Sequence, residues 1–290
     1  MRRFYVHVHV PKTAGTSFEK LIRRNFAKHY KQENWLLPTS GDRYRAVDIE
    51  RLTMLHPTIR AYSSHRVSLD LPYESDAIHV MAVAWLRDPV ERFVSHYFFE
   101  RFGNMDYCPA AREVDLEAYV DGIMRGTLRS PVDTVVTKYR CSQLAFLTGE
   151  TGSAALERVK SLVQRNRLLL LPTERFSDAC VLLERLFPED FRDCSYGERR
   201  NVSVRDQAVT PAAREKIADL TRGDVALRDF AVQSFDAALE RAFATGDDLQ
   251  RARRNHSTRC RLRRIPLASM SWIRSAVGRP HSKRRAIRRS

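Results

Sequence analysis

The feature that most constrains this chain is the run IHVMAVAWL at 78–86, followed at once by Arg87-Asp88-Pro89. Nine nearly continuous apolar residues with no helical period fit a strand buried on both faces, as in a parallel sheet covered by helices on each side. Asp88 and Pro89 then supply an N-cap and a first helical residue, with Glu91 at the third position. A buried strand that runs straight into a capped helix is one βα unit, and several such units define an α/β domain.

Three further segments read as strands: 4–10 (FYVHVHV), 59–63 (IRAYS) and 167–171 (RLLLL). Phe18, Leu21, Ile22 and Phe26 recur at helical spacing, as do Val90, Phe93, Val94, Tyr97 and Phe98. Further helices are expected near 115–125, 133–147, 154–165, 177–187, 211–221 and 225–244. The alternation predicts a three-layer α/β sandwich around a central parallel sheet, and 290 residues give ample core for it. Gly246-Asp247-Asp248 closes the expected domain, 1–246, leaving 247–290 as a basic C-terminal tail.

The net charge of +15 suggests nucleic acid until it is located. From Leu249 to Ser290 there are 14 Lys or Arg and no acid, while the other 248 residues hold 36 basic against 35 acidic side chains. The body is therefore close to neutral. The tail reads as a solvated extension, or as an appendage for an acidic membrane surface or another polyanion. Five scattered cysteines without a CxxC pair argue against a disulfide framework or a zinc site. No apolar run reaches membrane-spanning length and strand-like sequence follows Met1 almost at once, so the expectation is a cytoplasmic chain, with peripheral membrane association through the tail left open.

Two loops carry the chemistry. In HVHVPKTAGTSF (7–18), Pro11 ends a strand, Gly15 allows close backbone approach, and Thr16 and Ser17 stand at a helix start with Glu19 completing a capping-box pattern. The unsatisfied amides of a helix start favour an anion; Lys12 adds a full charge and the hydroxyls add donors. The loop lacks the Gly-x-x-x-x-Gly-Lys order of a nucleotide-triphosphate P-loop, and no Walker-B-type acidic strand end is evident. The second loop places Arg87 at the carboxyl end of a buried strand, where open α/β sheets hold ligands. Ser95 follows two helical turns later on the Glu91 side. One loop with a lysine and one with an arginine suit a ligand carrying anionic groups at two ends.

The stretches VPKTAGTSF and RDPVERFVSHYFFERFG resemble the sulfotransferases that use 3′-phosphoadenosine 5′-phosphosulfate, in particular the carbohydrate group with the uronyl and heparan sulfate 2-O-sulfotransferases. CSQLAFLTG, LLLLPTERFSDACVLLERLFP and RRNVSVRDQAVTPAAREKIADLTRGDVALRDFA follow in the order of that family, over about residues 4–245. The resemblance implies a P-loop-like sulfotransferase fold without a metal. It implies that Pro11, Lys12, Thr13, Ala14, Gly15, Thr16 and Ser17 hold the 5′-phosphosulfate, with Lys12 on the bridging oxygen. It further implies that Arg87 and Ser95 hold the 3′-phosphate, with Arg200 and Ser203 of RRNVS as looser matches to a donor-closing loop.

Sulfuryl transfer also needs a base, and a histidine suits operating pH. His65, just past the second strand candidate, is the candidate base, as the resemblance to the 2-O-transferring members also implies. His7 and His9 share one strand face, and an HxH pair can bind metal, but the reading preferred is of sheet-face histidines. Glu174 either orients substrate or caps a helix. The expected acceptor is a carbohydrate hydroxyl, on a polysaccharide that is itself anionic or not, or on a glycolipid. A small-molecule or lipid acceptor, an ATP-dependent kinase and a noncatalytic polyanion-binding protein are the alternatives.

Overall fold

The computed structural model describes residues 2–32, 43–69, 78–103, 109–128, 141–197 and 205–264. Five strands, β1 (Arg2–Val8), β2 (Tyr30–Gln32), β3 (Ala61–Ser64), β4 (Ile78–Leu86) and β5 (Leu168–Pro172), form one sheet in the order β2-β3-β1-β4-β5. Every pairing is parallel.

Eleven α-helices are described: α1 (Gly15–Phe26), α2 (Ala46–Leu55), α3 (Pro89–Phe102), α4 (Ala110–Glu113), α5 (Leu116–Met124), α6 (Gln143–Thr148), α7 (Ser153–Gln164), α8 (Phe176–Leu186), α9 (Pro211–Leu220), α10 (Val225–Ala242) and α11 (Gly246–Leu262). Alternate strand residues face two separate cores. Phe4, Val6 and Val8 of β1 and Val80, Ala82 and Ala84 of β4 pack with α2, α6 and α7. Tyr5, Met81, Val83 and Trp85 pack on the other face with α1 and α8. These are the three layers that the strand-helix alternation predicts. A third cluster joins α3, α5 and α9 through Phe93, Tyr97, Tyr119 and Ile217.

Strand register sets the site. Val8 lies beside Ser64 on β3 and beside Ala84 on β4, and Leu86 lies beside Pro172 on β5. The carboxyl ends of four strands are thus level, so the residues that follow them (9–17, 65, 87 and 173) emerge along one edge.

Some boundaries differ from expectation. β1 stops at Val8 rather than at residue 10, although the His9 amide still donates to Ser64 O at 3.2 Å. The three-residue edge strand β2 and helix α2 carry too weak a pattern to be read from sequence. Of the helix expected at 133–147 only α6 is described, started by the Ser142 hydroxyl; 133–140 lie outside the described residues.

The basic stretch after Gly246 is not a solvated extension as far as Arg264. It forms α11, which lies against the body with His256 and Cys260 buried. Acids on and beside α8 receive it: Arg253 donates twice to Asp178 at 2.8 Å, Arg259 to Glu184 at 2.5 Å, and Arg263 to Asp193. Counting charge along the chain could not show that the neutral body concentrates acids under this helix. Residues 265–290 lie outside the described residues, and no described helix is long and apolar enough to cross a membrane.

Candidate active site

The loop between β1 and α1 is shaped by two left-handed residues, Lys12 (φ 66°) and Ala14 (φ 65°). Such a conformation costs a non-glycine residue about 1 kcal/mol or more, and alternation of this kind makes successive N–H groups converge on an anion. The Ser17 and Phe18 amides close on Ala14 O at 2.9 and 3.1 Å, which leaves the Gly15 and Thr16 amides at the open end of α1. Thr13 is buried: its hydroxyl donates to Val10 O at 2.8 Å, and its carbonyl accepts from the Thr173 hydroxyl at 3.2 Å. Thr13 therefore braces the loop, whereas Thr16 is exposed and Ser17 partly so. Pro11 is buried beneath them.

Lys12 reaches across to α3, where its ammonium lies 4.3 Å from the centre of the Phe99 ring. Among the described residues it has no carboxylate partner. Burial, and then the neighbouring Arg87 guanidinium, push its pKa down to about 8. Arg87 follows β4 as expected, and its Nη1 donates to Lys12 O at 3.5 Å, tying the two loops together. The Gln143 side chain clamps the Arg87 backbone, accepting from its amide at 3.0 Å and donating to its carbonyl at 2.8 Å. Gln143 itself is fixed because Asp224 accepts the Gln143 and Leu144 amides at the start of α6.

Asp88 caps α3 as the sequence predicts, accepting from the Glu91 amide at 3.0 Å. Glu91 is taken up by Arg214 and Arg205 at 2.8 and 3.0 Å, with Arg87 further away at 3.9 Å. Ser95 lies one turn before Phe99 on α3 and is buried, 5% exposed. Glu174 caps no helix of its own; it accepts from the Asp88 amide at 2.7 Å and so joins the ends of β5 and β4. Arg200 and Ser203 lie outside the described residues.

The histidines form one packed unit. His65 donates from Nδ1 to His9 O at 2.5 Å, which puts its lone pair on Nε2. The His65 ring stacks on His9 at 4.0 Å between centroids, and His9 stacks on His7 at 5.0 Å. Burial, then the His9 charge, push His65 down to about 3, so it is neutral at working pH. His9 Nδ1 and the Ser63 hydroxyl both meet Glu19 Oε1, at 3.1 and 2.6 Å. The capping box expected for Thr16 and Glu19 is thereby overturned: α1 begins at Gly15 behind Ala14, and Glu19 turns toward the sheet. His7, His9 and Glu19 each offer a possible metal ligand atom within 4.8 Å of one another. Glu19 is already engaged there by two hydrogen bonds. Its role and that of Ser63 are missed in sequence because both come together only through the β1–β3 register.

A cavity of about 800 Å³ also opens at the amino ends of β1, β4 and β5, lined by Arg2, Arg60, Met81 and Leu168. It lies at the opposite end of the strands from Lys12 and Arg87.

A parallel sheet with two cationic strand-to-helix loops at its carboxyl edge is an arrangement suited to an anionic ligand. Residues 3–125, the segment containing both loops, match the sulfotransferase family. Human uronyl 2-sulfotransferase is 37% identical over 120 residues, covering 37% of this chain and 29% of that protein. The chain thus aligns with under a third of the length of that relative. Mouse heparan sulfate 2-O-sulfotransferase 1 is 24% identical over 79% of this chain and 70% of its own length. A heparan sulfate 2-O-sulfotransferase of Caenorhabditis elegans is 24% identical over 85% and 83%.

Proposed function

We propose that the protein transfers a sulfuryl group from 3′-phosphoadenosine 5′-phosphosulfate to a hydroxyl of a carbohydrate acceptor. The observation that carries this reading is that His65 and Lys12 hang on one short stretch of chain. His9 O fixes the histidine, and three residues later Lys12 presents an ammonium with no carboxylate partner among the described residues. A base and a leaving-group cation at one strand end are what in-line transfer requires.

The residues fit the donor. The Gly15 and Thr16 amides and Ser17 would hold the 5′-phosphosulfate, and Lys12 the bridging oxygen. Arg87, braced by Gln143, would meet the 3′-phosphate. Ser95 would join it only through the edge of α3, since it is buried. Arg200 and Ser203 are carried in this proposal on resemblance alone. His65 Nε2 takes the acceptor proton as the acceptor oxygen bonds to sulfur. The sulfur–oxygen bond to the phosphate breaks, and its electron pair stays on the bridging oxygen beside Lys12. The donor is a co-substrate, and the proposed step uses no metal.

The carbohydrate acceptor is supported by the names of the relatives, uronyl and heparan sulfate 2-O-sulfotransferases. We take residues 1–246 as the transferring domain and 247–290 as the basic tail, whose stretch to Leu262 packs on the body as α11 and whose remaining basic residues we assign to an acidic surface. The test is transfer of label from radiolabelled donor across uronate-containing polysaccharides, neutral polysaccharides, glycolipids and small alcohols. Labelling of a polysaccharide supports the reading, and labelling of small alcohols or lipids alone overturns the carbohydrate part.

A further inference from the structure

We propose that Glu19 is a positioning residue for His65: acting through the His9 ring, it orients the histidine and balances the charge that the histidine gains with the acceptor's proton. The inference rests on the transfer reading above and deepens it.

The hydrogen bonds form one directed set. The single Ser63 hydroxyl proton goes to Glu19 Oε1 at 2.6 Å, so Ser63 Oγ accepts from His7 Nδ1 at 2.8 Å. Glu19 also accepts from His9 Nδ1 at 3.1 Å, which fixes the His9 ring plane. That ring lies against His65 at 4.0 Å and 24°. His65 is thus supported by a hydrogen bond from Nδ1 to the His9 backbone and by a stack on the His9 ring.

Gly15 completes the wedge from the other side. A Cβ at Gly15 would stand 2.0 Å from His9 Cδ2 and Nε2, so the ring occupies the space that any larger residue would fill. His9 is held between the anion loop and the candidate base, with Glu19 fixing its outer edge. A capping glutamate would leave His9 without this partner.

The charges agree. Among the described residues, the titratable groups that act on His65 are His9 from β1 and Glu19 from α1, with His7 of β1 stacked behind His9. His7 is buried and held neutral by desolvation, then by its histidine neighbours. Burial would raise the Glu19 carboxyl, but the His9 bond and charge and the Ser63 bond hold it below its ordinary value. Among the described residues Glu19 is thus the negative charge of the cluster, and it favours the protonated His65 that forms during transfer. When the acceptor proton moves to His65 Nε2, no proton need leave Glu19 or His9.

A double-mutant cycle tests this. Glu19→Gln keeps the side chain's shape and removes its charge; kcat should fall about tenfold with the binding of 3′-phosphoadenosine 5′-phosphate unchanged. In a His65→Ala background the same change should cost nothing further. An equal loss in both backgrounds, or no loss in either, overturns the proposal. If Glu19→Gln does not fold, His9→Phe, which keeps the stack and cuts the Glu19 bond, takes its place in the cycle. Nitrogen NMR of the unaltered protein separates this idea from the transfer reading: His9 Nδ1 should carry a proton, and an Nδ1 without one contradicts the proposal whether or not turnover is found. A protein that shows the protonated Nδ1 but transfers no sulfuryl group contradicts the transfer reading instead, and the positioning role proposed on it falls too.

Discussion

The Lys12 ammonium lies over the Phe99 ring, 4.3 Å from its centre, although the two residues belong to different βα units. The contact holds a partly buried cation at the sheet edge, with no carboxylate among the described residues to neutralise it. A cation–π pair is worth about 0.5–2 kcal/mol, less than a buried ion pair, so an incoming anion can take Lys12 over.

Lys12→Ala should lower transfer by about a hundredfold or more, since it removes the charge at the leaving oxygen. Burial, and then Arg87, push the Lys12 pKa down to about 8. An anionic ligand prefers the protonated form, so affinity for 3′-phosphoadenosine 5′-phosphate should be constant below that pH and weaken above it, by up to about tenfold per pH unit. Lys12→Arg stays charged, and calorimetry should find this pH dependence gone.

His65→Ala should reduce turnover by about a hundredfold or more while leaving the ligand-induced rise in melting temperature intact. A variant that turns over at the wild-type rate removes His65 as the base.

Gly15→Ala places a methyl group where the His9 ring sits. Overpacking of this kind costs about 1–3 kcal/mol, and displacement of His9 should lower kcat as well. Parallel thermal melts and rate measurements check both effects.

Much of this was legible in sequence, for reasons that individual residues make plain. The run 78–86 and the Asp88-Pro89 start depend on local chemistry, and β4 and α3 have those boundaries. Lys12 and Arg87 were visible because each follows a buried strand. Glu19 was not: its sequence context, Thr16-x-x-Glu, is that of a helix cap, and only the pairing of His7 with Ser63 across β1 and β3 turns it to the histidines. The docking of α11 was hidden for a similar reason. Asp178, Glu184 and Asp193 are unremarkable acids until the fold stacks them beneath Arg253, Arg259 and Arg263.

That docking makes a stability prediction. Burial works against it, but the Ser195 bonds and then the Arg263 bond hold the Asp193 carboxyl well below its ordinary value. A depressed carboxyl stabilises the fold above its unfolded pKa, about 3.9, and this contribution fades as the pH falls below that value. Asp193→Asn should lower the melting temperature at pH 7 and flatten its fall on acidification. Removing 246–290 uncovers Tyr196 and should lower the melting temperature by several degrees.

The most direct test of the two-ended anion site is the melting temperature with 3′-phosphoadenosine 5′-phosphate against ADP at equal concentration. The account predicts stabilisation by the 3′-phosphorylated nucleotide, little by ADP, and loss of the difference in Arg87→Ala. Equal stabilisation by both ligands would contradict it and leave a general nucleotide site in its place.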